Sequence, residues 1–457
     1  MSSIDRQNIW RTIPQKGFLG HPKGLFTLFF TEFWERFSYY GMRAILVFYM
    51  YYEVSKGGLG LDKSTALSIM SIYGSLVYMS GIIGGWVADR LLGTSKSVFY
   101  GGVLIMFGHI ALAIPGNFAF FLVSMVLIIF GTGLLKPNVS TVVGDIYSPE
   151  DRRRDSGFSI FYMGINLGSF LSPLIVGEIG MKHNFHLGFS IAAIGMFIGL
   201  ILFIVTKKKN LGQAGDYVAN PLPPEDKKRI FTWIGIGTII IALIFIFTIK
   251  IGYMHFQRFI ALIGILGILI PTGYFIVMYR SPKTTDVERS RLLAYIPLFI
   301  ASVMFWAIQE QGSTILANYA DERTQLHFAG FDISPAWFQS LNPLFIITLA
   351  PVFAWLWIKL GNREPSIPKK FSLGILFAGL SFIIILLPAY LGGTNSLVNP
   401  LWLVLSYFVC VLGELCLSPV GLSATTKLAP KAFSAQTMSL WFLSNAAAQA
   451  INAQIVK

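Results

Sequence analysis

Thirteen apolar blocks, each about 20 residues or longer, take up nearly the whole chain and leave it few ways to fold. They fall near 24–52, 64–92, 97–115, 118–144, 157–179, 186–206, 230–250, 258–279, 292–318, 335–358, 371–392, 399–426 and 433–456. A block of that length crosses roughly 30 Å of hydrocarbon as a helix. Only helices and closed barrels satisfy their backbone groups in lipid. Barrel strands would read as ~10-residue alternating segments, which are absent here. The expected fold is an all-α membrane bundle, with tilt or overhang where blocks exceed about 25 residues. Composition agrees: 12% of the 457 residues are charged, against about 25% in a soluble domain.

The net charge of +13 would suggest nucleic acid in a soluble protein. Here the basic residues sit in short loops, where they set topology, so no nucleic-acid partner is expected. With a cytoplasmic N-terminus, the inner segments hold 25 of the 35 Lys and Arg, and the outer loops hold seven. The inner set includes Arg90, Lys96, Arg152, Arg153, Arg154, Lys427 and Lys431; Lys457 falls outside. This asymmetry predicts a multi-pass membrane protein with its N-terminus cytoplasmic. The first 23 residues are polar and basic, unlike a cleavable signal peptide. Cys410 and Cys416, in one block, point about 120° apart on a helix and form neither a disulfide framework nor a metal motif. No cofactor is expected.

The segment 207–229, KKKNLGQAGDYVANPLPPEDKKR, is the longest polar linker. It separates an N-terminal six-helix bundle (1–206) from an inserted two-helix hairpin (230–280) with an uncharged apolar interior. A C-terminal bundle (281–457) shows five spans, so its last core helix reads as missing.

Seven charges lie inside the spans: Glu32, Glu35, Arg36, Arg43, Lys136, Glu310 and Glu414. Each costs roughly 2.5–3.5 kcal/mol at a helix centre, so such groups face a cavity and find partners. The plainer alternative is a set of fixed salt bridges that only glue helices. In the first span, Glu32, Glu35, Arg36, Tyr39, Tyr40 and Arg43 share one helical face. By helical rise, Arg43 and Glu310 lie about 30 and 28 Å from the inner surface, and Lys136 and Glu414 about 14 and 20 Å. Two gate pairs are therefore expected: Arg43 with Glu310 outside, Lys136 with Glu414 inside. Alternately broken, they would give a solute alternating access.

Three cations against four carboxyls leave one carboxyl free to carry a proton. Glu32 or Glu35 is favoured, then Glu310. Charges of both signs suit a zwitterion. Tyr39, Tyr40, Tyr78, Trp306 and Trp441 could line side pockets, although any single aromatic can instead be core or belt. An intramembrane enzyme is disfavoured: HExxH, Gly-x-Ser-x-Gly and paired-Asp motifs are absent. His109, alone on its span, reads as a core residue.

The string from Glu32 to Gly41, EFWERFSYYG, resembles the E-x-x-E-R-F-x-Y-Y-G motif of the proton-dependent oligopeptide transporter family. Phe161 to Ser169, FYMGINLGS, resembles its F-Y-x-x-I-N-x-G-S signature. GTGLLKPN (Gly131 to Asn138), FWAIQEQ around Glu310 and GELCLSP around Glu414 also fit. GGWVADRLLG (Gly84 to Gly93) resembles the loop motif of the major facilitator superfamily. The resemblance implies two six-helix bundles with the bacterial helix pair inserted between them. It implies a monomer that imports di- and tripeptides with protons across the bilayer; another anion, such as nitrate or a peptide-like drug, is the alternative. It assigns proton coupling to Glu32, Glu35 and Arg36. Arg36, Arg43 and Lys136, with Tyr40 and Asn166, would meet the peptide carboxylate. Glu414, with Asn342 and Asn166, would meet the amino group, and Trp306 and Trp441 would wall side-chain pockets.

Overall fold

The computed structural model describes residues 6–115, 118–148, 151, 153–218, 221–253, 255–392, 397–430 and 433–456. Arg152, Lys431 and Lys457, three of the loop cations, lie outside them. The N-terminal half holds α1 (Gly24–Tyr51), α2 (Lys63–Val87), α3 (Thr94–Ala113) and α4 (Phe118–Asp145). α5 (Arg154–Ser172) continues through a π turn at Pro173–Gly177 into the short α6 (Glu178–Lys182). Pro173 lacks an N–H, and the helical ladder widens there to go on. α7 (Phe185–Asn210) closes this half.

The inserted pair is α8 (Pro224–Lys250) and α9 (Phe256–Arg280). Then come α10 (Asp286–Gln309), a 3-10 turn at Glu310–Ser313 and α11 (Ile315–Arg323). A hairpin follows, β1 (His327–Phe328) antiparallel to β2 (Phe331–Asp332), turned by Ala329 and Gly330 at positive φ. The last spans are α12 (Leu341–Leu360), α13 (Ile367–Gly392), α14 (Leu401–Leu428) and α15 (Ser434–Ile455).

Among the described residues, eleven helices are long and apolar enough to cross a membrane. α1 and α15 are long enough but too polar to count among them. α1 carries Glu32, Glu35, Arg36 and Arg43, and α15 carries Asn445, Gln449 and Asn452. The architecture is that of the major facilitator type, with the extra pair between the halves.

Two boundaries differ from the sequence reading. α7 runs on to Asn210 and α8 begins at Pro224, so both ends of the 207–229 linker are helical. Lys207, Lys208 and Lys209 face the negative end of α7, and Glu225 and Asp226 the positive end of α8, which lets both helices outrun their apolar segments. The block 292–318 is not one helix but breaks after Gln309.

Small residues set the closest helix approaches. α2 meets α4 where Gly84 rests on the Gly133 carbonyl, and a Cβ at Gly84 would collide with it. In the first half α1 packs against α5 and α7; in the second, α14 packs against α12 and α13, and α10 against α15. The halves meet along α2 with α15 and α5 with α12. α9 lies on α15 and α2. α8 touches α9 through Phe245 and Phe259 (ring centroids 5.8 Å apart) and buries none of its described side chains.

Candidate functional site

α1 carries its charged stripe into the centre of the first half. Arg36 is held by both glutamates of its own helix: Nε lies 3.1 Å from Glu32 Oε1 and is ion-paired with Glu35. The aromatic stripe sits beside it, with the guanidinium 5.4 Å from the Tyr39 ring centroid and 5.9 Å from that of Tyr40. Glu35 is fully buried and Arg36 is 2% exposed. Even so, Arg36 Nη2, Glu32 Oε2 and Glu35 Oε1 have no hydrogen-bond partner among the described residues. A buried charge with open valences is costly unless something completes its shell.

Two turns further along α1, Arg43 reaches across to the second half. It forms an ion pair with Glu310 and donates to Ser313 Oγ at 2.8 Å. Glu310 also accepts from Asn445 Nδ2 (3.1 Å) and Gln449 Nε2 (2.6 Å) on α15. The short 3-10 turn after α10 brings both Glu310 and Ser313 to Arg43.

The second expected pair is not joined. Lys136 on α4 lies over the Tyr78 ring, 4.3 Å from its centroid, and makes no ion pair among the described residues. Glu414 on α14 accepts instead from Asn342 Nδ2 (2.9 Å) and Gln309 Nε2 (3.0 Å). Gln309 in turn accepts from the Cys410 thiol at 2.8 Å. Glu414, not Glu32 or Glu35, is therefore the intramembrane carboxylate without a cation partner among the described residues. The two α1 glutamates flank one arginine on one helix.

Lys136, Tyr40, Tyr78, Trp306 and Asn342 stay partly exposed. Asn166 donates to the Tyr162 carbonyl of its own helix at 3.0 Å. Trp441 is buried against Phe371 (6.3 Å, edge-on) in the core of the second half, so it packs more than it lines. Trp306 meets Phe305 edge-on at 5.4 Å.

Beyond Arg43, the two halves are tied again. Tyr51 and Tyr52 each donate to Asp321 of α11 at 2.7 Å, and Lys63 pairs with Glu322. Sequence reasoning missed this tie, and it missed Asn445, Gln449, Gln309 and Cys410. The signal for the α15 amides was present: Asn445 and Gln449 stand four residues apart, on one helical face, in an otherwise Ala-rich span.

A family model described as "PTR2: POT family" matches residues 95–457. An uncharacterized transporter of Bacillus subtilis (strain 168), YclF, is 67% identical over 455 residues, covering 100% of this chain and 92% of that protein. A di-/tripeptide transporter of Lactococcus lactis subsp. cremoris is 50% identical over 456 residues, covering 98% of this chain and 91% of that one. A crystal structure of a peptide transporter POT in complex with sulfate superposes with a TM-score of 0.97 at 73% identity. It covers 99% of this chain and 92% of that chain.

Proposed function

This chain belongs to the POT family, and on that premise we propose that it is a proton-coupled symporter importing di- and tripeptides by alternating access. One observation carries the reading. Cations with unsatisfied capacity (Arg36 Nη2, Lys136) stand on the first half, and a carboxylate without a cation partner (Glu414) stands on the second. A zwitterion of a few residues would complete both sets at once. Its carboxylate meets Arg36 and Lys136, with Arg43, Tyr40 and Asn166 beside them. Its amino group meets Glu414, with Asn342 and Asn166. Tyr39, Tyr78 and Trp306 border the side chains, and Trp441 backs them from the core. A simple anion such as nitrate would gain nothing from Glu414, which disfavours the alternative.

Proton coupling runs through the α1 glutamates, Arg36 and Glu310. A proton on Glu310 removes its attraction for Arg43 and frees the outer tie; its loss on the inner side restores the bridge. The structure, tied outside and unpaired at Lys136 and Glu414, suits the inward-open half of that cycle. The segments 1–206 and 281–457 rock about the α2–α15 and α5–α12 contacts. The linker 207–229 lies in the cytoplasm and the hairpin 230–280 stays passive. The monomer sits in the bacterial plasma membrane with its N-terminus inside, as the Lys and Arg asymmetry requires.

The test is uptake of labelled dialanine into proteoliposomes with and without an inward proton gradient. Gradient-driven accumulation is expected, and its absence from a well-incorporated protein would end the proposal. Glu310→Gln is expected to lose accumulation yet keep peptide exchange.

A further inference from the structure

The turn joining the inserted pair to the second half is a short corner pinned by its own polar contacts. α9 ends at Arg280 and α10 begins at Asp286, so the two helices are linked by only a few residues. Arg289 pins the corner: its Nε donates to the Tyr279 carbonyl at 3.1 Å and its Nη1 pairs with Asp286 at 2.9 Å. Thr285 and Glu288 cap α10 reciprocally, and Thr284 Oγ1 donates to the Met278 carbonyl at 2.7 Å. From this fixed corner the helices splay and leave a groove of about 310 Å³ facing outward.

Phe275 and Ile276 of α9 and Leu293 and Ile296 of α10 wall the groove, and Tyr279 and Arg280 stand at its basic end. The back is closed by aromatic packing, with Phe275 5.4 Å from Phe299 and 6.0 Å from Tyr295 between ring centroids. Arg280, Lys283 and Arg291 are exposed around the mouth, and none is in an ion pair among the described residues. Three other cations on the same side do have acidic partners: Arg153 with Asp151, Lys207 with Asp216 and Lys370 with Glu364. At this corner Asp286 is taken by Arg289 and Glu288 by the helix cap, which leaves the other three cations uncompensated.

We propose that this groove binds one anionic phospholipid of the inner leaflet, its phosphate on Arg280 with Lys283 and Arg291 near, and one acyl chain between α9 and α10. Position and charge choose the occupant. The groove opens where two membrane spans end on the cation-rich side, so acyl chains reach it from the bilayer. A guanidinium engages phosphate through paired N–H donors, and basic pockets between spans on that side suit acidic headgroups. A zwitterionic lipid would bring its own cation against three others. A soluble phosphate would leave the apolar walls uncovered. The bound lipid would brace the inserted pair against the second half at a corner where α9 and α10 barely touch.

The test counts bound lipids by native mass spectrometry of the purified full chain, titrated with dioleoyl phosphatidylglycerol or dioleoyl phosphatidylcholine. One phosphatidylglycerol is expected to stay bound at concentrations that leave no phosphatidylcholine. Arg280→Gln with Arg291→Gln is expected to weaken that binding about tenfold. Leu293→Trp, which fills the groove and keeps the charges, is expected to weaken it comparably. Equal retention of the two lipids would overturn the proposal, as annular contact only. So would a loss in just one of the two variants, since headgroup and chain are needed together. Full competition by glycerophosphoglycerol, which has no acyl chains, would also overturn it. The readout is independent of transport, so a failed uptake assay would leave this inference standing.

Discussion

α1 and α8 are nearly equal in length and opposite in fate. α1 is the more polar of the two, with four charges in its span, yet it buries 22 of its 28 residues. α8 is apolar through its interior and buries none of its described side chains. In water the reverse would hold. Lipid tails are as apolar as leucine, so a hydrophobic surface gains little by turning inward. A charge in the same place gains a partner and escapes hydrocarbon. The difference teaches that burial in this molecule sorts by polar need, and that α1 and α15, which carry charges and amides along their length, supply much of the buried polar interior.

The comparison can be broken hardest at Arg43. Arg43→Ala leaves Glu310 buried with only the α15 amides, at a cost of about 3–5 kcal/mol. Dialanine uptake is expected to fall at least a hundredfold, with a lower midpoint of thermal unfolding. Wild-type uptake by this variant would reduce the bridge to glue. The next test puts a charge where the molecule has none. Ile241→Lys, mid-way along α8 and 69% exposed, is expected to cost roughly 3 kcal/mol on insertion. That should show as a reduced membrane-integrated fraction. Normal integration would mean that α8 is not surrounded by lipid.

Smaller effects separate the same two regions. Gly84→Ala drives a methyl into the Gly133 carbonyl, and α2 and α4 must part. A loss of about 1–3 kcal/mol is expected in thermal unfolding. The same change at Gly235 on α8 meets nothing within 4 Å. There it is expected to be neutral or to stabilise by up to about 1 kcal/mol through helix propensity. Equal responses at the two glycines would erase the contrast between inner and outer helices.

Much of this contrast can be read without coordinates. Apolar block length marks the eleven helices that, among the described residues, are apolar enough to cross a membrane, and 3.6-residue periodicity puts the α1 charges on one face. Rise per residue places Arg43 and Glu310 at similar depth, and they are indeed in contact. The same arithmetic pairs Lys136 with Glu414, which are not joined, because depth says nothing about which nearer groups each side chain meets: Lys136 lies on Tyr78 and Glu414 accepts from two amides. It also cannot apportion carboxyls among cations: Glu32 and Glu35 share Arg36, which leaves Glu414 to amides. Neutral partners such as Asn445 and Gln449 escape a search for charge, although they complete the Glu310 shell. The break after Gln309 falls in the polar run Gln309 to Thr314, which the block reading folded into one span around the Glu310 charge instead of taking it as a helix end.

That break sets two neighbours to different tasks. Gln309 reaches the Glu414 carboxylate and Glu310 reaches Arg43, from one helix end. Successive residues of a helix stand about 100° apart around its axis and are joined by a single peptide unit. No rigid turn of that end can therefore shift one contact and leave the other untouched. The end of α10 works as a rocker arm: whatever moves the Glu414 contact also tugs on the Arg43 bridge, and the bridge reports back along the same bond.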